Sequence, residues 1–184
     1  MRRSISKQKG VTLLEMMITV AILAIVLTVV APNVQGILIK NRAVATMNEL
    51  STVIQYARNS AIDEQANAVF CPSSDFTSCS TNWRHPKMVF IDQNNDGERD
   101  ANEVLLVATE SLNSTMTFTS TSDVISFEDS GASSAQTIIK LCHTSNNAQY
   151  ARQIEISLQG RVRLSQDTDK NGVHEDTDGN PLSC

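Results

Sequence analysis

Lys9-Gly10-Val11-Thr12-Leu13-Leu14-Glu15 opens a segment that stays apolar as far as Ala31, with a single carboxylate one turn into it. Val11 to Ala31 is 21 residues, and Thr12, Glu15, Thr19 and Thr28 are its only polar side chains. As a helix, that length crosses the hydrocarbon core of a bilayer. A carboxylate in such a helix costs several kcal/mol unless it finds a partner, so Glu15 reads as functional. Its obvious partner is the α-amino group that cutting the chain after Gly10 would free at Val11. Gly10, with no side chain, lets a peptidase approach the backbone closely.

The charges are distributed to match. Arg2, Arg3, Lys7 and Lys9 are four of the 15 basic residues, and residues 1–10 hold no acid. A basic segment ahead of a span predicts a cytoplasmic N-terminus and an exported C-terminal part. Without residues 1–10, 11 basic residues face 20 acidic ones, a formal charge of −9. Bulk attraction to nucleic acid is excluded by that balance, and any such site must be local. Two plainer readings of the segment are a secretory signal peptide and a simple anchor. A signal peptide has a shorter apolar core and a small-residue cleavage box, whereas this segment ends in Ala31-Pro32-Asn33. Neither has a use for Glu15.

Pro32 removes one backbone hydrogen bond and predicts a kink. Beyond it, apolar residues recur at Val34, Ile37, Leu38, Val44, Leu50, Ile54, Ala57 and Ala61, with Lys40, Arg42, Glu49, Gln55 and Arg58 among the polar residues between. This is an amphipathic helix with one face against a domain. From Val11 to Gln65 the helix would measure roughly 80 Å. After Ala66 come eight β-type runs: Ala68–Cys71, Lys87–Ile91, Val104–Thr109, Thr115–Thr119, Val124–Phe127, Thr137–Cys142, Gln153–Leu158 and Arg161–Ser165. Gln159-Gly160 reads as a tight turn between the last two. The chain thus divides into a basic leader (1–10), a transmembrane or assembly helix (11–31), an amphipathic helix (32–66) and a β-rich exported domain (67–184). The fold class is α+β, one long N-terminal helix packed on antiparallel β-sheet.

Cys71, Cys79, Cys142 and Cys184 all fall in the exported part, which suits two disulfides. Of three possible pairings, Cys71–Cys79 with Cys142–Cys184 is favoured, the first closing a short loop and the second tying down the C-terminus. The longer closure contributes about 3–4 kcal/mol in chain-entropy terms. A zinc site is disfavoured, because no cysteine pair has finger-like spacing.

Gly160-Arg161-Val162-Arg163 places two arginines on one face of a strand, where their guanidinium forks suit successive phosphates. The plainer reading is solvating arginines, or arginines paired to carboxylates, and Asp167, Asp169, Glu175, Asp176 and Asp178 lie close by in sequence. Asp92-Gln93-Asn94-Asn95-Asp96-Gly97, closed by Glu103, fits a calcium-loop pattern with Asp92, Asn94, Asp96 and Glu103 as ligands. Asp167-Thr168-Asp169-Lys170-Asn171-Gly172, ending near Asp178, is a looser copy. Asn, Asp and Gly are equally what β-turns prefer. His85, His143 and His174 are scattered and form no relay with Ser or Cys. No enzymatic site is expected, and calcium is the one cofactor in view.

The basic leader, Gly10, the apolar helix and Glu15 together resemble the class III signal of type IV pilins and pseudopilins. Cys71-Pro72-Ser73, Cys79, Trp83, Val89-Phe90-Ile91-Asp92, Asn94, Asp96-Gly97, Asp100, Glu103 and Leu105-Leu106 look like the FimT/FimU group of minor pilins. So do Leu141-Cys142, Ile154-Glu155-Ile156-Ser157, Gly160-Arg161-Val162-Arg163 and the final Cys184, so that the resemblance covers nearly the whole chain. It implies cleavage by a prepilin peptidase between Gly10 and Val11, and methylation of Val11, where the family commonly carries Phe. It implies that Glu15 compensates an N-terminal amine, its own or a neighbour's. The implied location is the inner membrane, single-pass with a periplasmic head, and then an extracellular pilus alongside major and minor pilins. The implied roles are pilus assembly or initiation, and capture of double-stranded DNA in natural transformation. In that second role Gly160, Arg161 and Arg163 form the contact, with Arg152 and Lys140 assisting. The group shares a GspH-like domain with minor pseudopilins of type II secretion systems, which is the alternative role; the cysteine pairs and the Gly-Arg-Val-Arg turn favour the pilus branch.

Overall fold

In a computed structural model, which describes residues 10–184 with the side chains of residues 29–32 apart, helix α1 spans Leu13–Glu64. The basic residues Arg2, Arg3, Lys7 and Lys9 lie outside the described residues. Thr12 caps the helix: its Oγ1 accepts from the Glu15 N–H at 3.2 Å, and its carbonyl accepts from the Met16 N–H at 3.2 Å. The helical backbone continues through Pro32. It stops where Gln65 turns left-handed at φ 52° and the Ala66 N–H reaches the Ala61 carbonyl at 3.3 Å. The chain separates into two units, one ending at Leu38 and the other spanning Ile39–Cys184.

In the first unit the helix is apolar and exposed on every side from Leu13 to Leu27, and an 18-residue window reaches a mean hydropathy of 2.7. It is long and apolar enough to cross a membrane. The Thr19 hydroxyl donates to the Met16 carbonyl at 2.9 Å and that of Thr28 to the Ala24 carbonyl at 2.9 Å. These hydroxyls therefore need no water, which makes them tolerable in hydrocarbon. Val34, Ile37 and Leu38, expected on the buried face of the amphipathic half, are instead exposed.

In the second unit, α1 buries Ala43, Met47, Leu50, Ile54, Ala57 and Ala61. Steps of four and three residues keep these on one stripe. Val44, expected in that stripe, is 43% exposed; the register that includes Met47 and Leu50 places the smaller Ala43 inward instead. All eight expected strand runs are present, with ends shifted by a few residues: β1 Asn67–Pro72, β2 Lys87–Asp92, β3 Leu105–Ala108, β4 Met116–Ser120, β5 Ile125–Phe127, β6 Thr137–His143, β7 Arg152–Ile156 and β8 Val162–Leu164. They form two four-stranded sheets, ordered β3-β2-β1-β5 and β4-β6-β7-β8, with every pairing antiparallel. Because β5 leaves its neighbours in sequence to join β1, the chain crosses between the sheets three times, after β3, β4 and β5.

One core joins the helix stripe to both sheets through Phe70, Val89, Phe118, Phe127, Leu141 and Ile154, among others. The sheet containing β1 and β2 is buried on its other face as well. There Val69, Cys71, Met88 and Phe90 pack beneath Phe76 and Cys79 of the loop that follows β1. Burial on both faces explains why Val69-Phe70-Cys71 and Met88-Val89-Phe90-Ile91 run apolar without alternation. The Cys71–Cys79 disulfide pins that loop, and Cys142–Cys184 joins the end of β6 to the last residue. Within the first loop, Asp75 accepts from the Thr77 N–H at 2.9 Å, a bond that leads in holding its carboxyl down at about 2.

Lys87 is the unusual member of this core. It is 3% exposed, and its Nζ donates to the Trp83 carbonyl at 2.8 Å and to the His85 carbonyl. The ammonium also lies 5.4 Å from the Phe118 ring centre and 5.8 Å from that of Trp83. Burial pushes its pKa down to about 8, with Glu49 opposing. The unfolded chain keeps that proton into the ordinary lysine range, so the folded state gains relative stability as pH rises from about 8 to about 10. Urea midpoints for the parent should therefore climb over that interval relative to Lys87→Met, and parallel pH profiles for the two would refute the assignment.

Candidate functional site

Among the described residues, three places bring together side chains with chemical capacity. The first is the helix start. The Glu15 carboxylate is exposed and has no hydrogen-bond partner among the described residues, while its N–H is capped by Thr12. It occupies the third helical position, where the positive end of the helix dipole favours a carboxylate. An ammonium at Val11 would sit one residue ahead of the cap, against that same positive end. Glu15 is the acidic residue of that first turn.

The second is the β7–β8 turn. Its loop is three residues, Leu158–Gly160, one longer than the tight turn expected at Gln159-Gly160. The Gly160 N–H reaches the Ser157 carbonyl at 2.8 Å, and the Ser157 N–H reaches the Arg161 carbonyl at 3.0 Å. Gly160 has φ +70°, as this hairpin type requires after its type I turn. It is also a contact point: a Cβ there would lie 2.1 Å from the Gly131 carbonyl oxygen and 2.6 Å from Arg58 Nε. That same Gly131 carbonyl accepts a hydrogen bond from Arg58 Nε at 2.8 Å. The helix, the loop before β6 and the hairpin thus meet at Gly160.

Val162 packs against the core, which turns its neighbours Arg161 and Arg163 outward, both exposed. Their guanidinium groups make no hydrogen bond or ion pair among the described residues. Glu155 faces Arg163 across the β7–β8 register but instead accepts from Gln136 Nε2 at 2.8 Å. Arg58, Arg161 and Arg163 line one groove of about 360 Å³ with Gln55 and Asn59, and no acid lines it. Glu155, Glu175 and Asp176 line a separate groove on the other side of Arg163. Arg58 had no signal in the sequence, since its contact with this hairpin depends on a bond to a residue 73 positions away.

The other two cations assigned to this surface do different work. Arg152 is 7% exposed, and its Nη1 donates to the Gln149 carbonyl at 3.0 Å and the Ala151 carbonyl at 2.6 Å. It closes the 3-10 turn at Ala148–Tyr150 from within and cannot reach a phosphate outside, which corrects its expected assisting role. Lys140 Nζ donates to the Ser183 carbonyl at 2.8 Å, so it holds the C-terminal segment beside β6.

The third place is the pair of acidic loops. In the first, Asp92 and Glu103 are buried, and all four of their oxygens accept backbone N–H groups. Asp92 takes those of Asn95 (2.7 Å) and Gly97 (2.9 Å), and Glu103 those of Gln93 (2.8 Å) and Asp100 (3.0 Å). The Asn94 amide donates to both Asp96 Oδ2 and Asp100 Oδ2. Asp92, Asn94, Asp96 and Glu103 therefore form a turn whose carboxylates are taken up by hydrogen bonds within the loop, and the three carboxylates do not gather to a common point as metal ligands would.

Residues 46–160, more than half of the chain, match the family described as type II transport protein GspH. The chain belongs to the GspH family. Residues 5–31 match the prokaryotic N-terminal methylation motif, which takes in Gly10, Val11 and Glu15. No curated protein sequence matches the chain. Its fold is similar to that of the type IV minor pilin FimU of Pseudomonas aeruginosa, at TM-score 0.54 and 16% identity over 69% of this chain and 90% of that one. It is likewise similar to the minor pseudopilin EpsH of the Vibrio cholerae type 2 secretion system, at TM-score 0.50 and 10% identity over 66% of this chain and 94% of that one. The GspH match ends at Gly160, so Arg161, Arg163, the second acidic loop and Cys184 lie beyond it.

Gly160 gives this surface a direct test. Gly160→Ala adds a left-handed backbone cost to a collision with a carbonyl and should destabilise the head by about 2–4 kcal/mol. A lower urea midpoint with an unchanged slope is the expected result, and an unchanged midpoint would show that the close approach is dispensable.

Proposed function

We propose that this GspH-family chain is a minor subunit of a type IV pilus. It is cut between Gly10 and Val11, held in the inner membrane with its head in the periplasm, and drawn into the fibre by the first half of α1. The observation that carries this reading is the helix from Leu13 to Leu27, apolar and exposed all round, with one unpartnered carboxylate at its third position. Such a surface is stable in lipid or against other apolar helices. The unpaired carboxylate favours a packed bundle in which an amine lies beside it, because a lone charge in hydrocarbon costs more than a paired one. Gly10→Asp should leave the chain at its full length on a gel of membrane fractions; mature-size protein in that variant would overturn the cleavage position.

The same fold suits a pseudopilin, and a deletion separates the two roles. Loss of pili with protein secretion intact supports the pilus, and the reverse outcome assigns the chain to secretion.

A specific observation favours a second role for the head, capture of double-stranded DNA. The groove lined by Arg58, Arg161 and Arg163 is free of acids, although the chain as a whole is acidic. Three guanidinium groups at one groove suit backbone phosphates and read no sequence. Full-length protein in detergent should bind a short duplex with a log–log salt slope of about −2 to −3. Arg161→Ala/Arg163→Ala should weaken that binding more than tenfold. Unchanged affinity in the double variant would reduce these arginines to solvating charge.

A further inference from the structure

The second acidic loop has the backbone of the first but a different account of its oxygens. Asn95 and Gly97 are left-handed at φ 63° and 80°; Lys170 and Gly172, in the corresponding positions, are at 62° and 90°. In each loop the leading aspartate accepts the glycine N–H, Gly97 to Asp92 at 2.9 Å and Gly172 to Asp167 at 3.0 Å. The first loop then saturates itself. The second does not.

Asp167, Asp169 and Glu175 each bring a carboxylate oxygen within 4.8 Å of the other two. Glu175 is 6% exposed and is fixed by bridges to Gln166 and Pro181. Its Oε2 accepts from the Thr168 N–H at 2.7 Å and the Thr168 hydroxyl at 2.8 Å, while Oε1 is buried with no partner. Asp167 repeats the pattern, with Oδ2 on Gly172 and Oδ1 buried and unpartnered. Buried polar atoms without partners are rare and expensive, above all on anionic groups. Two of them in one three-carboxylate cluster point to a ligand.

The neighbouring basic groups do not fill that place. Arg152 acts on Asp167 electrostatically but forms no ion pair with it, and its Nη1 is engaged with the carbonyls of Gln149 and Ala151. His174 Nδ1 lies 2.8 Å from the Ser165 carbonyl. Lys170 is exposed and has no partner among these carboxylates. Three carboxylates against one nearby guanidinium leave an excess of negative charge. The donors are all oxygen, without thiolate or free imidazole, a set that selects a hard divalent cation over zinc. Calcium tolerates the irregular six to eight oxygens that a loop of this kind can supply with its carbonyls and water.

We propose that Asp167, Asp169 and Glu175 bind calcium. The ion would convert mutual repulsion among three carboxylates into attraction and fix the segment between β8 and Cys184. The reading is independent of whether the head binds DNA.

Calorimetry with calcium chloride on the full-length chain in detergent should show one calcium per chain, with a Kd on the order of 10⁻⁴ M, typical of exported modules. Asp169→Asn should weaken it at least tenfold, and Asp96→Asn in the first loop should leave it unchanged. Both residues are exposed, and melting curves in EDTA that superimpose on the parent's would establish that the variants are folded. Calcium should then raise the Tm of the parent and of Asp96→Asn, and not that of Asp169→Asn. No binding heat up to about 10 mM calcium, or heat indifferent to Asp169→Asn, overturns the proposal.

Discussion

One helical stripe organises the head: Ala43, Met47, Leu50, Ile54, Ala57 and Ala61 meet the inner faces of both sheets in a single core. Neither sheet could bury its apolar face without it, since each has four strands and β4, β6 and β7 bring Phe118, Leu141 and Ile154 to that core. The three alanines allow close approach, while the larger residues between them fill the space toward the strands. The same helix is apolar on all sides from Leu13 to Leu27 and one-sided after Ala43. The first surface is compatible with lipid and the second with a protein core.

The arginine groove depends on that stripe. Arg58 follows Ala57 on the helix, so the packing that buries Ala57 also sets where the Arg58 guanidinium can reach. Its bond to the Gly131 carbonyl, and the absence of a side chain at Gly160, bring three separate parts of the chain to one point. Positive charge is thereby concentrated locally on a domain whose total charge is negative. The acids nearest in sequence to Arg163 are held elsewhere, as turn-makers in the loop after β8 and as lining of another groove.

Local chemistry made most of the fold readable. The apolar helix, the eight β-type runs and the turn residues between them are signals carried by a handful of adjacent residues. The division into two sheets was not readable, because the placement of β5 beside β1 is a long-range choice that no local pattern encodes. Val44 was misplaced because hydrophobicity alone favours it over Ala43, whereas the packed stripe selects by angle. Arg152 counted as surface charge in the sequence, and only the carbonyls of the neighbouring 3-10 turn explain its burial. In the second acidic loop, counting along the calcium-loop pattern led to Asp178. The bridges from Glu175 to Gln166 and Pro181 bring Glu175 back to the cluster instead.

The Cys142–Cys184 bond has a mechanical meaning. It joins residues 42 apart in sequence, and a chain of that length would extend by roughly 140 Å if pulled straight. With the bond in place, that length is withheld from any extension of the protein under tension. A load entering through the N-terminal helix must therefore be resisted by the sheets and core, with no slack to be drawn from the segment between Cys142 and Cys184.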